Sequence, residues 1–194
     1  MSGDASTGAW EADVLCGGSS RRMGRDKALV RIADAPMASR VARACLDAGA
    51  SRVRAVGGDV PALRDVGLDA VADRWPGAGP LAGIVQALDT ANQPVVVVLA
   101  CDLVAPDAAA IGTLVDRLTR SDADVVVPGV DGRPQWLHGA WRRAAAGKLA
   151  TRFAAGERAV HRAAVALAVD VVDGLDPAAL ADADHPSALP DDAD

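Results

Sequence analysis

The sequence predicts an α/β domain whose sheet is mostly parallel. Three observations carry this expectation. Short apolar runs alternate with longer segments of helical period. The most apolar run, residues 95–100 (VVVVLA), reads as a central strand buried on both faces. Several runs stop at Gly-Gly or at Asp, as strands do when they feed turns.

The elements follow in order. Residues 12–16 (ADVLC) are a buried strand running into Gly17-Gly18. Residues 37–48 place apolar groups at Met37, Val41, Ala44, Cys45 and Ala48, a helical spacing closed by Gly49. Residues 52–56 are a strand stopped by Gly57-Gly58, and 68–72 a short strand ending at Asp73. Residues 80–90 read as a helix with Pro80 in its first turn, where a missing N–H costs nothing. After strand 95–100, residues 106–119 form a helix opened by Pro106, and 123–127 a strand. Residues 135–141 are a candidate strand. Residues 144–166 have helical character broken at Gly156. Residues 168–172 are a last strand and 177–182 a last short helix. In such a sheet the crossovers are right-handed, and ligands bind beyond the carboxyl ends of the strands. That rule selects the loops 16–27, 57–59, 73–80 and 101–105.

With 194 residues, 51% of them hydrophobic, the chain suits one domain, expected over 10–189, with residues 1–9 and 190–194 as flexible tails. Net charge is −6 and aromatic residues are 3%, which argues against nucleic acid as a partner. Charge is uneven, however. Residues 1–60 hold nine basic against seven acidic groups, and the rest hold 11 against 19. An anion is therefore expected in the N-terminal third. Three cysteines, at 16, 45 and 101, match no metal spacing and no disulfide framework, so a reducing compartment is the default. The first ten residues lack the features of a signal peptide, and no apolar run reaches a membrane span. A cytoplasmic protein without membrane contact is the expectation.

The strongest signal is residues 15–27, LCGGSSRRMGRDK. Glycines after a strand let backbone N–H groups turn inward as an anion-binding nest. Arg21, Arg22, Arg25 and Lys27 face the single Asp26 in charge. A polyphosphate suits such a loop. It is not a Walker A loop, because Arg25-Asp26 separate Gly24 from Lys27. On glycine and charge alone, a solvated β–α turn remains open.

The segment resembles the signature of the molybdenum cofactor guanylyltransferase family and its small nucleotidyltransferase relatives, roughly L-A-G-G-x-S-x-R-M-G-x-D-K. Leu15, Gly17, Gly18, Ser20, Arg22, Met23, Gly24, Asp26 and Lys27 match, and Cys16 replaces Ala. Residues 73–84 (DRWPGAGPLAGI) are similar to the family's D-x-x-P-G-x-G-P-L-A-G-I, and residues 100–103 (ACDL) to its A-C-D-M. Further on, Arg133-Pro134-Gln135 with Leu137-His138 is loosely similar to R-x-x-P-L-H. Asp182-Ala-Asp-His-Pro186 stands where the family has N-x-N-T-P.

The resemblance implies a Rossmann-like three-layer α/β/α fold of the nucleotide-diphospho-sugar-transferase type. It implies Mg²⁺-dependent transfer of GMP from GTP to the phosphate of molybdopterin, with release of pyrophosphate. Arg22, Lys27 and Asp102 are the implied catalytic residues, with Asp102 holding Mg²⁺. The implied GTP contacts are Leu15, Cys16, Gly17, Gly18, Ser20, Gly24, Lys27, Gly57, Asp73, Gly79 and Asp102. The acceptor side falls to His138, Asp182 and Asp184. Transient contact with molybdoenzymes or their chaperones accompanies such a role.

Each residue has a plainer reading. Lys27 could be a solvated helix-start lysine, Asp102 an N-cap (although Pro106 and Asp107 place that cap later) and Asp73 a turn residue. His138, His161 and His185 are scattered and read as surface or half-buried histidines rather than metal ligands. Trp136 and Trp141 read as core or lid residues. The two carboxylates at 182 and 184, in place of amides, can only accept hydrogen bonds and sit poorly beside an anionic pterin. Two further readings follow: a nucleotidyltransferase using CTP or another phosphorylated acceptor, and a non-catalytic nucleotide-binding member of the fold.

Overall fold

The structure, a computed structural model, describes residues 8–17 and 26–183. The expectations for residues 1–7 and 190–194 lie outside those residues. The elements run β1 (Trp10–Leu15), β2 (Arg31–Ile32), β3 (Ala35–Pro36), α1 (Met37–Asp47), β4 (Val53–Val56) and α2 (Val60–Asp65). Then come β5 (Ala70–Val71), α3 (Pro80–Asp89), β6 (Val95–Ala100), α4 (Ala108–Thr119), β7 (Val125–Val130) and β8 (Arg133–Pro134). β9 (His138–Arg142), α5 (Ala146–Ala154), α6 (Val160–Ala163) and β10 (Val169–Val172) complete the order.

The main sheet has the strand order β10-β7-β9-β6-β1-β4-β5, with β8 beside β7. β6, β1, β4 and β5 are mutually parallel, as are β7 and β10. β9 runs antiparallel to both its neighbours, β6 and β7. β6 occupies the centre because its β-branched run has two apolar faces. Val95, Val97 and Leu99 pack in one core with α1, α2 and α4. Val96 and Val98 pack in the other with α3, α5 and α6. The result is the three-layer α/β/α arrangement that the motifs imply.

Local chemistry explains the boundaries. Asp107 accepts from the amides of Ala109 (3.0 Å) and Ala110 (3.2 Å), so it caps α4 and leaves Asp102 free of that task. The broken segment 144–166 resolves into a 3₁₀ turn, α5, Gly156 at φ +94°, α6 and a second 3₁₀ turn. The last expected helix is a 3₁₀ turn, Pro177–Leu180, capped by Asp176. Three elements were not expected. These are the β2–β3 hairpin, the six-residue α2 with Pro61 in its first turn, and β8.

Two buried acids tie the base of the sheet. Asp13 in β1 pairs bidentately with Arg54 in β4 at 2.8 and 2.7 Å, and both are buried. Burial pushes the Asp13 carboxyl above its usual value, against the pull of Arg54. Glu11 accepts from the amides of Asn92 and Gln93, joining β1 to the turn after α3. Among the described residues no helix is long and apolar enough to cross a membrane.

Candidate active site

The register fixes where the site can be. Leu15 pairs with both Val56 and Ala100, and Val56 pairs with Val71. Four strands therefore end on one line. Cys16-Gly17, Gly57-Gly58, Ala72-Asp73 and Cys101-Asp102 leave the sheet side by side. Because β9 is antiparallel, it starts at this same edge, with His138 opposite Leu99. The described residues of the loops selected by the carboxyl-end rule are the ones the structure brings together.

The glycines permit the close approach. A Cβ on Gly57, which has φ +81°, would stand 3.0 Å from Gly17 Cα. A Cβ on Gly17 would be 3.5 Å from Asp73 Oδ2. The Gly17 position would accept that contact, whereas a side chain on Gly57 would press on the Gly17 backbone and force the first and second loops apart. Asp26 ties the same loops by hydrogen bonds. Its Oδ1 accepts from Ala28 N at 3.1 Å, capping the 3₁₀ turn Lys27–Leu29, and its Oδ2 accepts from Asp59 N at 2.7 Å.

That cap presents Lys27 inward. Lys27 Nζ donates to Asp102 Oδ2 at 2.7 Å, across 75 residues of sequence. Both side chains are largely buried, at 12% and 19% exposure. The Asp102 backbone is fixed on two sides: Cys101 N donates to Leu15 O at 3.2 Å, and Ala183 N donates to Asp102 O at 2.9 Å. The neighbouring Cys101 thiol is pushed well up by its hydrogen bond with Cys16 and by burial. It stays a neutral thiol near pH 7 and supplies no nucleophile.

Asp73 accepts from Trp75 N at 2.8 Å, which is a turn role, while its other oxygen faces Gly17. Its loop is held from below by a residue the sequence reading passed over. Gln86 in α3 is buried, donates Nε2 to Ala72 O and accepts from Arg74 N, both at 2.8 Å. The carboxamide thus clamps the backbone on both sides of Asp73. A polar residue inside an apolar helix face was the available signal. Gly79 opens α3 at φ +88°, and a Cβ on Gly83 would collide with the Leu15 side chain, so α3 lies close against the end of β1.

On the other side of Asp102 the chain's end is stitched to the site. Leu103 and Asp182 form a β-bridge, and Val104 N donates to Ala181 O at 3.0 Å. This brings Asp182 Oδ1 to 3.2 Å from His138 Nε2. His138 is 2% exposed, which corrects the expectation of a surface or half-buried residue. It opens β9, where it pairs with Leu99 of the buried strand β6. His138, Asp182, Gln135, Trp136, Pro80 and the exposed His161 line one cavity of about 340 Å³. Two of the three histidines are therefore less scattered than the sequence suggested. Trp141 is core, and Trp136 is half-buried on the cavity wall.

Of the predicted site residues, Leu15, Cys16, Gly17, Lys27, Gly57, Asp73, Gly79 and Asp102 gather at this edge, with His138 and Asp182 beside them. Gly18, Ser20, Arg22, Gly24 and Asp184 lie outside the described residues. Among the described residues no group of three or more His, Cys, Asp or Glu is placed to hold a metal. The donor set nonetheless suits Mg²⁺, which is commonly bound by one or two carboxylates plus substrate phosphates. Asp102 offers the carboxylate, and the Lys27 ammonium already sits against it as a cation.

Residues 12–182 match the model of the MobA-like NTP transferase domain. A probable molybdenum cofactor guanylyltransferase of Opitutus terrae is 40% identical over 135 residues, 68% of this chain. The match spans 65% of that relative's length. A second, from Chloroflexus aggregans, is 33% identical over 79% of this chain and 76% of its own. The crystal structure of molybdopterin-guanine dinucleotide biosynthesis protein A from Archaeoglobus fulgidus superposes with a TM-score of 0.70 at 22% identity. It covers 84% of this chain and 83% of its own. The fold is that of nucleotidyltransferases, and the chain belongs to the MobA-like NTP transferase family.

Proposed function

We propose that this protein is a molybdenum cofactor guanylyltransferase, which transfers GMP from GTP to the phosphate of molybdopterin with Mg²⁺ as its metal. The observation that carries the reading is the convergence of Gly17, Lys27, Gly57, Asp73 and Asp102 on one sheet edge, with Lys27 Nζ 2.7 Å from Asp102 Oδ2. The names of the relatives support guanine and molybdopterin as the substrates.

The chemistry asks little of a protein nucleophile. An oxygen of the acceptor phosphate, already ionised at pH 7, forms a bond to the α-phosphorus of GTP. The bond between that phosphorus and the α–β bridging oxygen breaks, and the electron pair leaves with pyrophosphate. Positioning and charge neutralisation are the protein's share. The glycine loop from Gly17 onward offers backbone N–H groups to the phosphates. Lys27 and Arg22 neutralise the charge that grows on the leaving pyrophosphate. Asp73, clamped by Gln86, orients the nucleotide beside Gly17 and Gly57. Asp102 would hold Mg²⁺, whose contribution when bound is Lewis-acid polarisation of the phosphates.

The acceptor belongs in the cavity beside Asp102. Its wall carries His138 and Asp182, whose Nε2 and Oδ1 stand 3.2 Å apart, with the carboxylate where the family has an amide. Asp184 belongs to the same side by its sequence position. The reading carries with it a single domain over 10–189, a cytoplasmic setting, and transient contact with molybdoenzymes or their chaperones.

A thermal-shift panel of GTP, CTP, ATP and UTP, each with and without Mg²⁺, tests the reading. A ligand binding only the folded state at 100 times its Kd adds about 2.7 kcal/mol of stability. A GTP-selective, Mg²⁺-enhanced shift is expected. A CTP-selective shift would move the protein to the cytidylyl reaction. A shift without turnover of a proven acceptor would make it a binding module.

A further inference from the structure

We infer that the cavity between α1 and the start of α4 binds a small molecule through an oxyanion group, a carboxylate or a phosphate. The cavity shares no lining residue with the edge that holds Lys27, Asp73 and Asp102. It does not depend on the guanylyltransferase reading.

The cavity follows from the pattern of α1. One stripe of that helix, with Met37, Ala38, Val41, Ala42 and Cys45, is buried. Beside it, Ser39, Arg40, Arg43, Ala44 and Asp47 line a cavity of about 320 Å³ together with Pro106 and Ala108, which lead into α4. Ala44 and Ala108 are too short to fill the gap. The volume stands at the small end of ligand pockets, about 300–1,000 Å³.

The polar groups on the wall carry the inference. Arg40 is half-buried, and its guanidinium makes no hydrogen bond or ion pair among the described residues. Its Nη1 is wholly covered and unpartnered within the protein, and so is the hydroxyl of the neighbouring Ser39. The other buried or half-buried Lys and Arg side chains among the described residues have partners. Lys27 has Asp102, Arg54 has Asp13, and Arg142 has the carbonyls of Ala123, Leu118 and Ser121. The nearby carboxylates are committed elsewhere. Asp47 takes Arg43 Nε on both oxygens, at 2.9 and 3.1 Å, and Asp107 caps α4. Covered polar groups without partners are rare in folded proteins. A guanidinium presents paired N–H groups that match two oxygens of a carboxylate or phosphate, and the hydroxyl adds a third donor. A neutral or cationic ligand would leave the Arg40 charge unanswered.

The test uses the full chain in phosphate-free buffer, with inorganic phosphate and succinate as probes. Two-dimensional NMR follows the backbone amides of Ser39, Arg40 and Ala108, and calorimetry follows the thermal midpoint. Saturable shifts of these amides are expected by about 10 mM probe, with a midpoint that rises with probe concentration. Arg40→Gln is expected to abolish both responses, and Ser39→Ala to weaken binding about tenfold. Arg40→Lys keeps the charge but loses the fork, so it is expected to fall between wild type and Arg40→Gln. Without probe, Arg40→Gln should melt no lower than wild type, because no partner is lost, and its GTP affinity should stay within about twofold. A stronger response to phosphate assigns the site to phosphate esters, and a stronger response to succinate assigns it to carboxylates. Unmoved amides with both probes, or a midpoint rise that persists in Arg40→Gln, overturn the inference. So does an Arg40→Gln protein that is less stable than wild type without probe, since Arg40 would then be a structural residue. Failure of wild type to bind GTP bears on the guanylyltransferase reading alone.

Discussion

His138 Nε2 lies 3.2 Å from Asp182 Oδ1, and the imidazole is buried to 2% exposure. This pairing changes the meaning of the aspartate. In sequence, Asp182 looks like an added negative charge beside an anionic substrate. In the fold its Oδ1 stands 3.2 Å from an imidazole nitrogen. His138→Leu and Asp182→Leu are each expected to raise KM for the acceptor by about tenfold, equivalent to about 1.4 kcal/mol. GTP affinity should stay within about twofold of wild type. Steady-state kinetics with the acceptor varied, alongside GTP calorimetry, separates the two. Equal losses for GTP and acceptor would remove the pair from the acceptor side.

Gln86 holds the backbone around Asp73 from inside α3. Gln86→Leu leaves the Ala72 carbonyl and the Arg74 amide without that partner, a cost of about 1–3 kcal/mol for a buried group. KM for nucleotide should rise about tenfold while kcat changes little. Gln86→Glu can still accept from Arg74 N but cannot donate to Ala72 O when ionised. It should fall between wild type and Gln86→Leu.

The Asp13–Arg54 pair predicts an asymmetry in stability. Removing one member leaves the other charge buried. Arg54→Met alone should destabilise by about 3–5 kcal/mol, whereas Asp13→Val with Arg54→Met should recover most of that loss. Denaturant unfolding of the three variants gives the answer. Additive losses would show that the pair is not a coupled unit.

Glu157, in the turn between α5 and α6, supplies a pH signature. Hydrogen bonds from Arg162, then from the amides of Ala159 and Arg158, hold its carboxyl down to about 2. The folded value lies below the usual value of 4.5, so its contribution is fully present above that value and is lost as pH falls toward 2. Glu157→Gln should therefore lower the thermal midpoint at pH 7. The difference should shrink steadily between pH 5 and 2.

Much of the fold and half of the site were legible in the sequence. β6 was, because VVVVLA can be little else than a strand buried on two faces. The loops at Gly17, Gly57, Asp73 and Asp102 were, because strand ends in a parallel sheet share one edge. The β2–β3 hairpin was not, since two-residue strands are too short to show a period. The direction of β9 was also hidden. A strand of five residues alternates alike whichever way it runs, so nothing in the residues marks His138 as starting at the site edge and being buried there. Gln86 escaped notice because its partners are backbone groups of a loop 12 and 14 residues earlier. Asp26 matched the motif, but its tie to Asp59 N depends on the second loop lying against the first.

Guanylyl transfer is read by mixing the protein with GTP, Mg²⁺ and molybdopterin and following pyrophosphate and guanine dinucleotide together. The two products are expected to form one for one, and Asp102→Asn and Lys27→Met are each expected to slow the reaction by roughly a hundredfold or more. Failure to release pyrophosphate with any nucleotide, or equal rates in wild type and Asp102→Asn, would contradict it.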